Sequence, residues 1–144
     1  MNKYALISVS DKTGIENLAV ELEKLGYTIL STSHTAEYLQ KFCRKVMLVS
    51  DLTKFPEILE GRVKTLHPLI YAGILADRNN PAHEKTLSEL KFDHIDVIAV
   101  NLYPFAEVCN KENASEQEII ENIDIGGPSL IRAGAKNFKS VTVL

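Results

Sequence analysis

The sequence is short of the residues that build metal centres and disulfide frameworks. Its 144 residues include only two cysteines, Cys43 and Cys109, and their spacing matches no metal-binding motif. The four histidines also lack the paired spacing of metal ligands. We therefore expect no metal site, no disulfide framework and a reducing compartment, the cytoplasm.

Long apolar runs and an excess of one charge are missing too. No stretch approaches the roughly 18 apolar residues that a membrane helix needs, and no signal-peptide cleavage site follows the apolar run at residues 4–9. Sixteen basic and 19 acidic residues give a net charge of -3, which does not favour a nucleic acid or a membrane surface as partner. Any anion-binding site must therefore be a local cluster of basic residues.

What the sequence does contain is a regular alternation of strand and helix patterns. The run at residues 4–9 is apolar throughout, as in a strand buried on both faces. The alternation predicts one α/β domain, with a doubly wound, mostly parallel sheet of about five strands and flanking helices. The predicted strands span 4–9, 27–31, 46–49, 96–101 and 141–144, and the main predicted helices span 15–25, 36–42, 81–90, 105–109, 115–123 and 128–135.

Polar segments follow the first two predicted strands, where parallel sheets bind ligands. Residues 8–14 supply hydroxyls, a lysine and the start of a helix, and residues 31–36 repeat that arrangement with His34. Such helix starts favour an anion. The alternative is helix capping, by Asp11 or Thr13 in one loop and by Ser33 or Thr35 in the other. Two such loops at neighbouring strand ends would face one crevice, which favours phosphate.

Two further segments are ambiguous on their own. In residues 61–68, Arg62 and Lys64 share a face if the chain is extended, and both could reach one anionic group. Two basic residues in a loop are otherwise an ordinary solvated surface. Asn101 and Tyr103 lie at the carboxyl end of the strand at 96–101, where their polar groups could bind a ligand. They also fit a simple turn beside Pro104.

A glycine pair precedes the last predicted helix. Gly126 and Gly127 would let the backbone approach a ligand, and Pro128 suits the first helical turn. Lys136 lies about 12 Å along the helix axis from Pro128, so only its long side chain could approach the site. The alternative for Lys136 is a favourable interaction with the helix dipole. His83 and His94 are predicted to be surface residues.

Taken together and in order, these segments carry a resemblance. Ser-Val-Ser-Asp-Lys-Thr-Gly, Arg-Val-Lys-Thr-Leu-His-Pro, Asn-Leu-Tyr-Pro-Phe and Asp-Ile-Gly-Gly, followed by Arg-Ala-Gly-Ala-Lys-Asn, closely resemble the cyclohydrolase domain of bifunctional purine-biosynthesis proteins. The resemblance covers nearly the whole chain. It implies a methylglyoxal-synthase-like fold, a purine ribonucleotide ligand, and dehydrative closure of 5-formamido-imidazole-4-carboxamide ribotide to inosine monophosphate without a metal or organic cofactor.

The resemblance also implies residue roles. It assigns catalysis to Lys64, Tyr103, Asp124 and Lys136, with Lys136 as proton donor and acceptor. It assigns nucleotide binding to Ser10, Asp11, Lys12, Arg62, Thr65 and Asn101, and contact with the base to Ile125, Gly126 and Gly127. The phosphate loop corresponds to Thr32, Ser33, His34 and Thr35, where the family usually has Ser-Gly-Gly-Thr. Losing both glycines removes easy access to positive φ where the backbone should meet phosphate. The His34 side chain could compensate by donating a hydrogen bond to the phosphate.

Length is the other departure from the family. The family's domain runs several tens of residues further, and a formyltransferase domain normally follows it. We therefore expect residues 1–144 to form a cyclohydrolase-like nucleotide-binding domain, truncated at its C-terminus and without a formyltransferase domain. The resemblance implies a homodimer. Two alternatives stay open: a catalytically impaired purine-nucleotide-binding module of the same fold, and a methylglyoxal synthase.

Overall fold

The computed structural model describes residues 2–144, in which strands and helices alternate as predicted. Within that range, no helix is long and apolar enough to cross a membrane. The strands are β1 (Lys3–Ser8), β2 (Tyr27–Ser31), β3 (Val46–Leu48), β4 (Ile95–Val100) and β5 (Thr142–Val143). The helices are α1 (Ile15–Lys24), α2 (Ser33–Leu39), α3 (Val49–Thr53), α4 (Pro68–Leu75), α5 (Pro81–Glu89), α6 (Phe105–Cys109), α7 (Glu116–Glu121) and α8 (Gly126–Lys136), and Leu59–Gly61 form a 3-10 turn.

The described strands form one sheet in the order β3-β2-β1-β4-β5, and every pairing is parallel. Helices cover both faces, which explains the uninterrupted apolar run of β1. Ile7 belongs to the cluster under α1 and α2 with Leu22. Leu6 belongs to the opposite cluster with Ile70 of α4 and Leu130 of α8. The doubly wound prediction is confirmed, and truncating a fully buried side chain such as Leu6 or Ile70 to alanine would cost about 2–5 kcal/mol.

This strand order places the topological switch point between β1 and β4. The chain leaves β1 towards β2 and β3, and then returns to the other side of β1 to form β4 and β5. Neighbouring loops therefore diverge above the carboxyl ends of β1 and β4 and leave a crevice there. The polar segments after these two strands both lie at this edge.

Two helices begin earlier than predicted, and each carries site residues. The helix expected at 36–42 spans Ser33–Leu39, because the Glu57 carboxylate accepts the otherwise unpaired N–H of Ser33. The helix expected at 128–135 spans Gly126–Lys136, because Asp124 accepts the N–H of Gly127. The glycine pair therefore belongs to the first turn of α8 and not to a loop.

Smaller differences concern strand ends and one histidine. Strand β3 stops at Leu48 because the next residue begins α3. Strand β5 has only two residues, although the Leu144 N–H still donates to the Ile98 carbonyl at 2.8 Å. His83 is exposed as predicted. The prediction for His94 is wrong, because its side chain is 14% exposed and its Nε2 lies 2.8 Å from Glu84 Oε1.

Candidate active site

A cleft of about 640 Å³ opens at the carboxyl edge of the sheet, at the switch point. Its volume lies within the range of about 300–1,000 Å³ usual for small-molecule sites. Segments that are far apart in the sequence meet there. The predicted residues that line it are Ser10, Lys12, Thr32, His34, Thr35, Arg62, Lys64, Thr65, Asn101, Tyr103, Asp124, Ile125, Gly126 and Gly127.

Asn101 fixes the loop after β1, which lines one side of the cleft. Its Oδ1 accepts the N–H groups of Ser10 at 2.7 Å and of Asp11 at 3.2 Å. Its Nδ2 donates to the Asp11 carbonyl at 2.7 Å. One amide thus satisfies three backbone groups of the loop after β1. Asn101 thereby fixes the loop that carries Ser10 and Lys12.

The 32–35 segment forms the next wall, and its hydroxyls bond to neighbouring strands. Thr35 is 2% exposed, and its Oγ1 donates to the Val9 carbonyl at 3.1 Å. Thr32 Oγ1 lies 3.4 Å from Ser8 Oγ. The expected capping of α2 by Ser33 or Thr35 is not observed, since Thr32 occupies the cap position and its side chain makes no bond to the helix. No residue of this segment has positive φ, so the missing glycines are not needed for the observed backbone.

The basic segment follows an unusual turn. Leu59 and Glu60 have φ of 54° and Gly61 has φ of 87°, a conformation that is uncommon outside glycine. A Cβ on Gly61 would lie 2.6 Å from Lys64 Cε, so the glycine lets the lysine side chain fold across the turn. An antiparallel bridge between Ile58 and Val63 closes the turn. Lys64 is thereby directed to the cleft by local backbone geometry.

Arg62 forms an ion pair with Glu121 of α7 across the cleft mouth. Hydrogen bonding to this carboxylate, with its charge, raises the pKa of Arg62, and the same contacts lower the pKa of Glu121. Both side chains are exposed, at 58% and 43%. Arg62 is therefore already paired with a carboxylate, which any anion entering the cleft would have to displace.

Asp124 connects the start of α8 to the segment after β4. Its Oδ1 accepts the Gly127 N–H at 2.8 Å, and its Oδ2 accepts the Tyr103 N–H at 3.2 Å. A Cβ on Gly127 would lie 2.7 Å from that Oδ2 and 2.6 Å from Leu102. Only glycine fits there without moving the carboxylate. Thr65, itself 4% exposed, packs against Gly126.

Three predicted residues do not line the cleft: Asp11, Ser33 and Lys136. Asp11 accepts from the N–H and hydroxyl of Thr13, which lowers the pKa of Asp11. Neither of these residues caps α1, which begins after Gly14. Ser33 bonds to Glu57. Lys136 is exposed at the far end of α8, about 15 Å along the axis from the cleft end of that helix.

Other cleft residues were not predicted. Glu60 lines it beside the turn, and residues 120–123 form a rim that includes Glu121. The α7 pattern in the sequence is that of an ordinary surface helix, so nothing in it indicated a cleft rim. Within residues 2–144, no group of three or more His, Cys, Asp or Glu side chains could hold a metal ion.

Together, the fold and the cleft define a doubly wound α/β domain with a polar cleft at the switch point of a parallel sheet. The chain belongs to the family of MGS-like domains, whose sequence profile matches residues 14–129. It is 55% identical over 144 residues to the bifunctional purine biosynthesis protein PurH of Caldicellulosiruptor saccharolyticus, and equally to that of Acetivibrio thermocellus. PurH of Staphylococcus aureus is 52% identical over 142 residues.

The match covers this chain far more completely than it covers those relatives. The chain is covered in full by the first two, but it spans only 28% of their length. Among solved structures, the crystal structure of ForH superposes with a TM-score of 0.85 at 33% identity, covering 99% of this chain and 72% of that one. The match therefore identifies one region of the longer relatives.

Proposed function

We propose that this domain is an IMP cyclohydrolase, which closes the ring of 5-formamido-imidazole-4-carboxamide ribotide to give inosine monophosphate. The observation that carries the proposal is the convergence of five separate segments on one cleft. The same segments carry the resemblance to purine-biosynthesis cyclohydrolases. Identity of 52–56% to the N-terminal 28% of PurH supports the same activity.

The nucleotide would lie with its phosphate on the wall nearest the sheet. The hydroxyls of Ser10 and Thr32 line that wall together with Lys12 and His34, while the Thr35 hydroxyl donates to the Val9 carbonyl. Hydroxyl and cationic donors satisfy phosphate oxygens well, particularly when charged. The base would extend towards Ile125 and the first turn of α8. The basic residues at one end of the cleft and the partly apolar residues at the other support a nucleotide as the substrate.

Ring closure needs proton transfer and stabilisation of charge. The carboxamide nitrogen forms a bond to the formyl carbon and gives up one proton, while the formyl oxygen gains a proton and becomes a hydroxyl. That hydroxyl then leaves as water with the proton of the formamido nitrogen, and a carbon–nitrogen double bond forms. Lys64 would stabilise the developing oxyanion, and Lys64 and Tyr103 would together relay the protons. Asp124 would hold the Tyr103 backbone and the start of α8 in place.

The role that the resemblance assigns to Lys136 has less support. Its ammonium stands on an exposed end of α8, outside the cleft of the chain. We therefore propose that Lys64 and Tyr103 carry the proton transfers within one chain.

A direct assay tests this function. The purified chain is incubated with the formamido ribotide, and formation of inosine monophosphate is followed by ultraviolet absorbance. We expect turnover above the uncatalysed rate. Turnover no faster than the uncatalysed rate would overturn the proposal for this chain.

The placement of Lys136 outside the cleft favours one second candidate, a nucleotide-binding module without catalysis. Calorimetry with inosine monophosphate separates the two. Binding without turnover would select the module, and the absence of binding would contradict both candidates.

The resemblance also supports a cytoplasmic homodimer as the working form. Cys43 is buried and Cys109 exposed, and both are free thiols, which agrees with a reducing compartment. Light scattering of the purified chain would test the dimer, and a monomer mass at assay concentrations would contradict it.

A further inference from the structure

Glu57 does not line the cleft, yet it holds one of the cleft walls. Its Oε1 accepts the Ser33 N–H at 2.9 Å, and its Oε2 accepts the Ser33 hydroxyl at 3.0 Å. Both carboxylate oxygens are thus engaged by a single residue, the first of α2. Hydrogen bonds to an ionised carboxylate are stronger than those between neutral groups, and these two are partly buried.

The chain that follows Glu57 is held in an uncommon conformation. Ile58 pairs with Val63, with N–H to carbonyl distances of 3.2 and 3.4 Å. Between them lie Leu59 and Glu60, whose φ of 54° is costly for residues with a side chain. Leu59 is 66% exposed, so burial does not hold it there. The bridge restrains this turn from within, and the Glu57 contact restrains it from the preceding side.

The Glu57–Ser33 contact therefore joins two parts of the cleft that are distant in sequence. One is the segment 32–35, which faces the cleft through Thr32, His34 and Thr35. The other is the turn that directs Arg62 and Lys64. The contact also uses both the N–H and the hydroxyl of Ser33 as donors. Only the neighbouring residues of this segment are therefore available to bind a ligand in the cleft.

We propose that Glu57 is a positioning residue for the phosphate of the nucleotide. It keeps the 32–35 wall and the basic turn at the separation that a phosphate needs, without touching the ligand. This proposal rests on the proposed function, because it takes inosine monophosphate as the ligand. Preorganised contacts of this kind raise affinity by removing the need to order the site on binding.

The test compares two carboxylates that both accept from backbone N–H groups. Glu57→Ala removes the contact described above. Glu23→Ala is the matched control, since Glu23 accepts the Arg44 N–H at 2.7 Å and does not line the cleft. The probes are inosine monophosphate and inosine, with dissociation constants from calorimetry and melting temperatures from the same samples.

We expect Glu57→Ala to bind inosine monophosphate about tenfold more weakly, which is the scale of losing hydrogen bonds to a charged group. Its affinity for inosine should change much less, because inosine has no phosphate. Glu23→Ala should lower the melting temperature and leave both affinities unchanged. Glu57→Gln should restore most of the affinity, since its amide oxygen can accept the Ser33 N–H and its NH₂ can donate to the hydroxyl.

Other outcomes would overturn the inference. Unchanged affinity in folded Glu57→Ala, or equal losses for both probes, would show that Glu57 is merely structural. If Glu57→Ala does not fold, Ser33→Ala takes its place, because it removes the hydroxyl bond to Glu57. Unchanged affinity of Ser33→Ala for inosine monophosphate would likewise overturn the positioning role. If the wild-type chain binds inosine monophosphate no better than inosine, the proposed function itself fails, and this inference fails with it.

Discussion

The two sides of the cleft are built in different ways. On the side of the sheet, Asn101 satisfies three backbone groups of the loop after β1, and Thr35 is buried against Val9. Elsewhere along the cleft, Arg62 and Glu121 form an exposed ion pair. The first side depends on neutral, short-range bonds that form with the sheet. The second depends on charge, and salt and ligand can alter it.

This difference indicates where a ligand would change the molecule. Strands β1 and β4 pair along their length, so the loops at their ends are carried by the most buried part of the fold. The α6–α7 segment has one buried side chain, Val108, in its two helices. We expect a bound nucleotide to leave the sheet side unchanged and to move the α7 rim, because the ligand competes with Glu121 for Arg62.

The largest expected effect concerns turnover on the charged side. Lys64→Ala should lower kcat by at least about a hundredfold, because a correctly placed proton-transfer or oxyanion-stabilising group contributes that much. The measurement is the ultraviolet assay at saturating substrate. His83→Ala is the control, since His83 is exposed on α5 and outside the cleft. Equal losses in both variants would contradict the site assignment.

The next effect tests the sheet side. Asn101→Ala removes the partner of three backbone groups, so the loop after β1 should lose its fixed conformation. We expect affinity for inosine monophosphate to fall by roughly thirtyfold and the melting temperature by several degrees. Calorimetry and thermal unfolding would measure both. The control is Asn110→Ala, at the exposed end of α6. If Asn101→Ala changed affinity and melting temperature no more than this control does, the loop after β1 would be ordered without Asn101.

Sequence patterns predicted the sheet side well, because burial and local chemistry determine it. The apolar runs of β1 and β4 are continuous, and polar residues at their ends must meet at a parallel edge. The start of α2 was misjudged because its first N–H is satisfied by Glu57, a contact between residues 24 positions apart. The Arg62–Glu121 pair spans 59 positions. No local pattern encodes such partners, so the charged side could not be predicted in the same detail.

A smaller effect of opposite sign is expected from Glu121→Gln. The variant weakens the ion pair and frees Arg62 for the ligand, so affinity for inosine monophosphate should rise roughly twofold, in keeping with the small energies of exposed pairs. Calorimetry at low and high salt would measure it, with the gain shrinking as salt screens the charges. Gln117→Ala, which removes the neighbour that bonds to Glu121, is a milder comparison. A weaker affinity in Glu121→Gln would show that Glu121 helps to bind the ligand.

The same pair has a defined pH dependence. The pKa of Glu121 is lowered in the folded chain by Arg62. Its contribution to stability is therefore complete above the ordinary glutamate pKa of about 4.3, and it is lost as pH falls through the lowered value. From pH 7 to pH 5 the difference in melting temperature between the wild type and Glu121→Gln should stay constant. A difference that vanished by pH 5 would contradict the lowered pKa.

The smallest effect on binding is expected from Lys136→Ala. The side chain is exposed at the end of α8 remote from the cleft, and its charge is screened from the site over about 15 Å in physiological salt. Affinity for inosine monophosphate should therefore stay within about twofold of the wild type, with Lys139→Ala, another exposed lysine nearby in sequence, as control. Turnover of the same variant then decides where the protons move. Unchanged kcat would leave proton transfer to Lys64 and Tyr103, whereas a large loss of kcat at unchanged affinity would require Lys136 to reach the reacting atoms and would overturn that assignment.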